Sequence, residues 1–167
     1  NITVNAVNDR IKGKNFVAVK DGSITVSAGG DGLQSDNTED TAKGYILIEG
    51  GTLEITSGMD GIQAETQLMI NTGTIRIVSG GGNAVNYELE ESAKGLKAGV
   101  EITIAGGTIH VDSADDAIHS NNNVTINGGE IIIASGDDGL HADSAVTMNN
   151  GSLTITKSYE GVEASTI

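Results

Sequence analysis

The sequence contains no cysteine, no proline and no tryptophan, and each absence closes off a class of protein. Without cysteine there is no disulfide framework and no thiolate metal site, so structural zinc of the usual kind is excluded. Without proline, nothing interrupts strands whose every amide needs a partner in a neighbouring strand. Aromatic residues are reduced to Phe16, Tyr45, Tyr87 and Tyr159. The core must therefore be aliphatic, and the flat aromatic platform used by many sugar-binding modules is not expected. Basic residues are equally scarce, 9 against 23 acidic ones, for a formal net charge of -14. That balance repels nucleic acid and anionic membrane surfaces and favours cations as partners. No apolar run approaches the roughly 18 residues of a membrane helix, and no signal-like segment opens the chain.

What is present is a repeat. The segment Asp116 to Asp137 aligns on Asp138 to Tyr159 with apolar residues on apolar residues and no gap, giving a period of 22 residues. In the same frame Asp9, Asp31, Asp60, Lys94, Asp116, Asp138 and Glu160 form one column, with longer intervals only from 31 to 60 and from 60 to 94. Those two coils are expected to carry polar loop insertions near residues 37–43 and 87–93. Within each coil, apolar and polar residues alternate in three short runs, the period of half-buried strands. In the coil from Asp138 the inward set is Leu140, Ala142, Val146, Met148, Leu153 and Ile155. A glycine recurs before the third run at Gly22, Gly51, Gly73, Gly107, Gly129 and Gly151, as a corner with a glycine-only conformation requires. These features specify an all-β fold, a right-handed parallel β-helix of about seven 22-residue coils with three strands each. Residues 1–167 form a single domain, read as a segment open at both ends because each terminus falls within the pattern.

The leading column is the first candidate for chemistry. It is read as outward-facing, and it sets carboxylates on successive coils about 4.8 Å apart. At that spacing two unit charges repel by about 3 kcal/mol at an effective dielectric of 20, so something must compensate. Asp115 and Asp137 precede the column, and Asp36, Glu65, Asn121 and Asp143 stand five residues after its members. Oxygen donors thus gather at both ends of the first strand, at Asp31, Asp36, Asp60, Glu65, Asp115, Asp116, Asn121, Asp137, Asp138, Asp143 and Glu160. Calcium takes six to eight such oxygens, so these are the candidate metal ligands. The competing reading makes them ordinary Asp and Asn turn residues bonded to their own loops.

His119 and His141 are one period apart and stack in a column that elsewhere holds Lys12, Gln34, Gln63, Lys97 and Glu163. That mixture reads as a variable, solvent-facing position. Lyase or glycosidase chemistry would need a closely poised pair or a strong base. A repeated carboxylate column supplies no unique pair, and Lys94 and Lys97 are the best candidates for a base beside only two arginines, Arg10 and Arg76. A uronate lyase is therefore an alternative and not the leading expectation. A second alternative, from strand edges left open at the coil ends, is end-to-end assembly into extracellular fibres.

The runs KGLKAG (Lys94 to Gly99), DDAIHSNNNVTINGG (Asp115 to Gly129), SGDDGLHAD (Ser135 to Asp143) and ITKSYEGVEAS (Ile155 to Ser165) together resemble a calcium-binding β-helix family, the carbohydrate-binding domain-containing proteins of bacterial cell surfaces. The resemblance spans almost the whole chain and is strongest from Lys94 onward. It implies a polysaccharide-lyase-like β-helix at the cell surface or outside the cell, with calcium between coils. It also implies non-catalytic adhesion to cellulose or to acidic plant polysaccharide such as polygalacturonate. Asp115, Asp116, Asp137, Asp138, Asp143 and Glu160 are the calcium-corner residues it implies, whereas Lys94 departs from the pattern by replacing the leading aspartate of its coil.

Overall fold

Runs that alternate apolar and polar residues bury one side only, and three such runs returning on themselves enclose that side on every face. The computed structural model describes residues 1–8, 11–85 and 92–167. Among these, every regular element is a strand and every strand pairing is parallel. The third runs of successive coils form a seven-stranded sheet: Ile2–Ala6, Ser23–Ala28, Thr52–Ser57, Thr74–Ser79, Thr108–Ser113, Glu130–Ser135 and Ser152–Lys157. We call this the third face. The first face is built of short strands such as Leu33–Ser35, Ile62–Ala64, Leu96–Ala98 and Ile118–Ser120. The second face is built of Phe16–Val19, Tyr45–Ile48, Gln67–Ile70, Glu101–Ile104 and Asn123–Ile126. Strand Leu140–Met148 runs through both and joins them into one sheet. The chain is a parallel β-helix with three strands per coil, as the repeat predicts.

Register follows the repeat. Ile118 pairs with Leu140, Val124 with Val146 and Ile131 with Leu153. The one departure in this pair of coils is a bulge after Ile133, which sets Ala134 opposite Lys157 instead of Thr156. The aliphatic columns form the core: Leu33, Ile62, Leu96, Ile118 and Leu140 are fully buried, as are Leu53, Ile75, Ile109 and Ile131. Each such side chain contributes on the order of 1.5–3 kcal/mol relative to exposure. Met148, expected inside, is 44% exposed, because only the coil on its Ile126 side packs against it.

The six corner glycines all have positive φ. At Gly107, with φ at 96°, an added Cβ would lie 2.7 Å from the carbonyl oxygen of Gly73 in the coil before, so both conformation and space require glycine there. The first insertion occupies the strand-free stretch between Ser35 and Tyr45. The second falls between Ser79 and Leu96, and its residues 87–91, like Asp9 of the leading column, lie outside the described residues.

Candidate functional site

Four members of the leading column do not face outward, whereas Glu160 is exposed. Asp31, Asp60, Asp116 and Asp138 are 3%, 2%, 4% and 7% exposed. The reason is a backbone need at the corner. Three leading residues have their N–H met by the carboxylate of the coil before: Asp60 N–H donates to Asp31 Oδ1 (3.2 Å), Lys94 N–H to Asp60 Oδ1 (2.9 Å) and Asp138 N–H to Asp116 Oδ1 (3.1 Å), while Asp116, which follows a lysine coil, donates to the adjacent Asp115 Oδ1 (2.9 Å). The column is therefore a seam that ties coil to coil. A second ladder closes the end of the third face, where the buried Ser113 and Ser135 hydroxyls donate to the carbonyls of Asp115 and Asp137 at 2.8 and 2.9 Å. Its sequence signal, the column Ser57, Ser79, Ser113, Ser135, is plain once the corner is seen.

The other carboxylate oxygen of each leading aspartate is met by the column three residues on, which sequence reading placed in solvent. Gln34 donates from Nε2 to Asp31 Oδ2 at 2.8 Å, and Lys97 Nζ lies 3.0 Å from Asp60 Oδ2. His119 Nδ1 meets Asp116 Oδ2 at 2.8 Å, and His141 Nδ1 meets Asp138 Oδ2 at 3.2 Å. The two imidazoles stack with centroids 4.9 Å apart. Gln34, Lys97, His119 and His141 thus share the ability to offer a donor to a leading aspartate, which Glu163 in the same column lacks. Lys94 adds a cation across one coil boundary, its Nζ 2.8 Å from both Asp115 Oδ2 and Asp116 Oδ2. Lys94 and Lys97, the residues a lyase reading would use as base, are both engaged in these ion pairs.

Electrostatics divide the corners into two kinds. Burial alone would raise the Asp116 carboxyl, but the hydrogen bond with His119, the bond and charge of Lys94 and the Asp138 N–H outweigh it, bringing it from 3.8 down to about 2. Lys94 is held above its usual value; burial works against its charge, and the two aspartates more than offset that. Asp137 moves the other way, raised by burial and then by the charges of Asp138, Asp116 and Asp115. Asp138 is raised by burial and by the nearby Glu163, against the hydrogen bond with His141.

Among the described residues, two groups converge tightly enough to hold an ion. Asp115, Asp116 and Asp137 place one oxygen each within 4.8 Å of one another, as Asp138, His141 and Glu163 do with their ligand atoms. The first set is all oxygen and carries three carboxylates against the one ammonium of Lys94, which suits a hard cation on the Asp137 side. The remaining candidates are spread out. Asp36 is paired with Lys12, Asp143 with His141, and Glu160 is exposed with its carbonyl accepting from Gly139 N–H at 2.9 Å. Glu65 and Asn121 line a cleft of about 260 Å³ beneath the first insertion, with Thr38, Thr41 and Gly99.

Sequence reading missed the third face. There Thr25, Glu54, Arg76, His110 and Ile132 stand in register on successive strands, beside a parallel outward row of Ser27, Thr56, Val78, Asp112 and Ala134. Together they line a shallow cleft of about 330 Å³ that reaches Thr156. Six strands at ordinary spacing make it about 24 Å long. Arg76 Nε lies 3.8 Å from Glu54 Oε1. Asp112 Oδ1 accepts from the Asn83 backbone and amide nitrogens at 2.6 and 2.7 Å, and Lys157 Nζ donates to Asn83 Oδ1 at 2.9 Å, so Asn83 is fixed at the rim. On the second face Phe16 and Tyr45 stack with centroids 5.3 Å apart, each ring covering one face of the other, and Phe16 is 51% exposed.

A family model described as carbohydrate-binding domain-containing protein matches residues 1–139. Among solved structures, a polysaccharide lyase-like protein from C. thermocellum, in a gadolinium derivative, superposes with a TM-score of 0.58 at 20% identity, covering 98% of this chain and 73% of that one. That likeness is one of fold. No curated protein matches the chain.

Proposed function

We propose, from the premise that this chain belongs to the carbohydrate-binding domain-containing protein family, that it is a non-catalytic module that lays an acidic polysaccharide along its third face at the bacterial cell surface or outside the cell. The observation that carries this reading is the axis-parallel cleft, in which Arg76 and His110 stand on adjacent coils, flanked by Glu54 and Ile132 and with hydroxyl-bearing side chains toward the cleft's ends. A linear polymer needs an extended, open groove. A guanidinium is suited to a sugar carboxylate because its planar donors match two oxygens. Thr25, Ser27, Thr56 and Thr156 supply neutral donors and acceptors for hydroxyl groups.

Calcium enters the proposal at the corner of Asp115, Asp116 and Asp137, which follows directly on the third-face strand pair ending at Ser113 and Ser135. There the ion would offset the carboxylate charge left after Lys94, and it would give a net-negative protein a means of holding a net-negative polymer. Asp31 and Asp60 are outside this proposal, since internal donors engage them. The same donors tie up Lys94 and Lys97, which supports binding over elimination chemistry.

Retention on immobilised polygalacturonate and on cellulose, in calcium and in chelator, tests the reading. Calcium-dependent retention on polygalacturonate that falls for Arg76→Ala is expected; no retention on either polymer would end it. Release of unsaturated sugar absorbing in the ultraviolet, assayed on the same samples, would replace binding with lyase activity.

A further inference from the structure

The corner one coil above the Lys94 ion pairs gathers acids without an ammonium. His141 Nδ1 lies 3.2 Å from Asp138 Oδ2 and 3.0 Å from Glu163 Oε2, and its Nε2 lies 3.1 Å from Asp143 Oδ1. Among the described residues no lysine or arginine is paired with Asp138 or Glu163. A neutral imidazole has one proton to give. Three carboxylates therefore converge on a ring that, when neutral, can donate from one nitrogen only; with the proton on Nε2 toward Asp143, Nδ1 offers a metal ion its lone pair beside Asp138 and Glu163.

We propose that Asp138, His141 and Glu163 bind a transition-metal dication of the zinc class, with Nδ1 and one oxygen from each carboxylate as ligands. Three observations converge on this. Tetrahedral ligands about 2.0–2.2 Å from zinc lie about 3.3–3.6 Å from one another, and the observed separations of 3.0 and 3.2 Å need only a small outward adjustment to reach that. An imidazole nitrogen among the ligands favours a transition metal over calcium or magnesium. Asp143 on the far ring nitrogen is the outer carboxylate that orients a metal-bound histidine and fixes its tautomer.

The site is also accessible. An open cleft of about 350 Å³, lined by His141, Asp143, Glu163 and Ser165, adjoins it and leaves room for water or a ligand group at a remaining coordination position. Asp138 and His141 belong to one coil and Glu163 to the next, so the ion clamps the two together. Lys94 performs the corresponding task one coil earlier with a tethered charge. This site differs from the calcium corner in ligands and in metal, and it does not rest on the polysaccharide reading.

Titration of the full chain with Zn²⁺ by calorimetry, with Mg²⁺ and Ca²⁺ as comparisons and Co²⁺ as a spectroscopic probe, tests the proposal. One tightly bound zinc per chain is expected, with visible cobalt bands showing a nitrogen ligand. His141→Gln removes both, and the variant should fold because Gln34 and Gln63 occupy the same column in earlier coils; circular dichroism checks that it does. Asp143→Asn weakens zinc binding by about tenfold or more. Zinc held no more tightly than magnesium, or held equally by His141→Gln, overturns the site. Retention of His141→Gln on polygalacturonate is expected to be unchanged, so failure of either proposal is read separately.

Discussion

Lys94 Nζ donates to Asp116 Oδ2 across one coil boundary at 2.8 Å, and to Asp115 Oδ2 at the same distance. All three side chains are largely buried, at 14%, 6% and 8% exposure. A single lysine in the aspartate column thus supplies a covalently held positive charge where two carboxylates would otherwise crowd.

Lys94→Met removes that charge and leaves the two carboxylates buried without it. Breaking a buried ion pair from one side costs about 3–5 kcal/mol, and urea unfolding in chelator is expected to show a loss of that order. Calcium should recover more stability in this variant than in the parent protein, since the corner gains a vacancy for a dication. Equal responses to calcium in the two proteins would count against the corner as an ion site.

Stability is expected to pass through a maximum between about pH 4 and 6.5. Asp116 is held below its ordinary 3.8, so its contribution is complete above that value and is lost as pH falls toward 2. His141 is raised above 6.5; burial opposes its charge, and Asp138, Asp143, Asp116 and Glu163 together prevail. Its contribution is complete below 6.5 and is lost as pH rises through the raised value. Asp137 and Asp138, both raised, add stability as pH falls toward 3.8 and so sharpen the same maximum. Urea midpoints in metal-free buffer measure this: Asp116→Asn should flatten the acid limb and His141→Gln the alkaline one. A midpoint that climbs from pH 6 to 8 would contradict the assignment.

Gly107→Ala tests the corner geometry. Its positive φ and the 2.7 Å approach to Gly73 predict a loss of about 1–3 kcal/mol, read from chemical denaturation, with the parallel β-sheet spectrum retained. A neutral substitution would mean that the corner relaxes freely.

How much of this was legible follows from where the constraints lie. The core columns could be read because each inward residue repeats its chemistry at one spacing, as Ile62, Leu96 and Ile118 do. The leading aspartates could be picked out by the same rule, yet their burial could not, because it comes from N–H groups of the next coil, which no side-chain pattern records. The partner column was misread for a related reason: Gln34, Lys97 and His141 look unlike one another and share only the ability to donate. The third-face cleft was invisible because Glu54, Arg76, His110 and Ile132 obey no repeat. Only the register brings these residues side by side.

Arg76→Ala is expected to lower affinity for polygalacturonate by about tenfold while leaving the melting temperature nearly unchanged. Arg76 is exposed, its pairing with Glu54 is long at 3.8 Å, and exposed pairs contribute about 0–1 kcal/mol to stability. Affinity should also weaken with rising salt, as a charge-mediated contact requires.

Hydrogen exchange of the chain with and without saturating polygalacturonate, in calcium, tests the central claim most directly. Slowed exchange confined to Thr52–Ser57, Thr74–Ser79, Thr108–Ser113 and Glu130–Ser135 is the predicted result. Protection that instead falls on the second-face strands Phe16–Val19 and Tyr45–Ile48, or no protection at all, would contradict it.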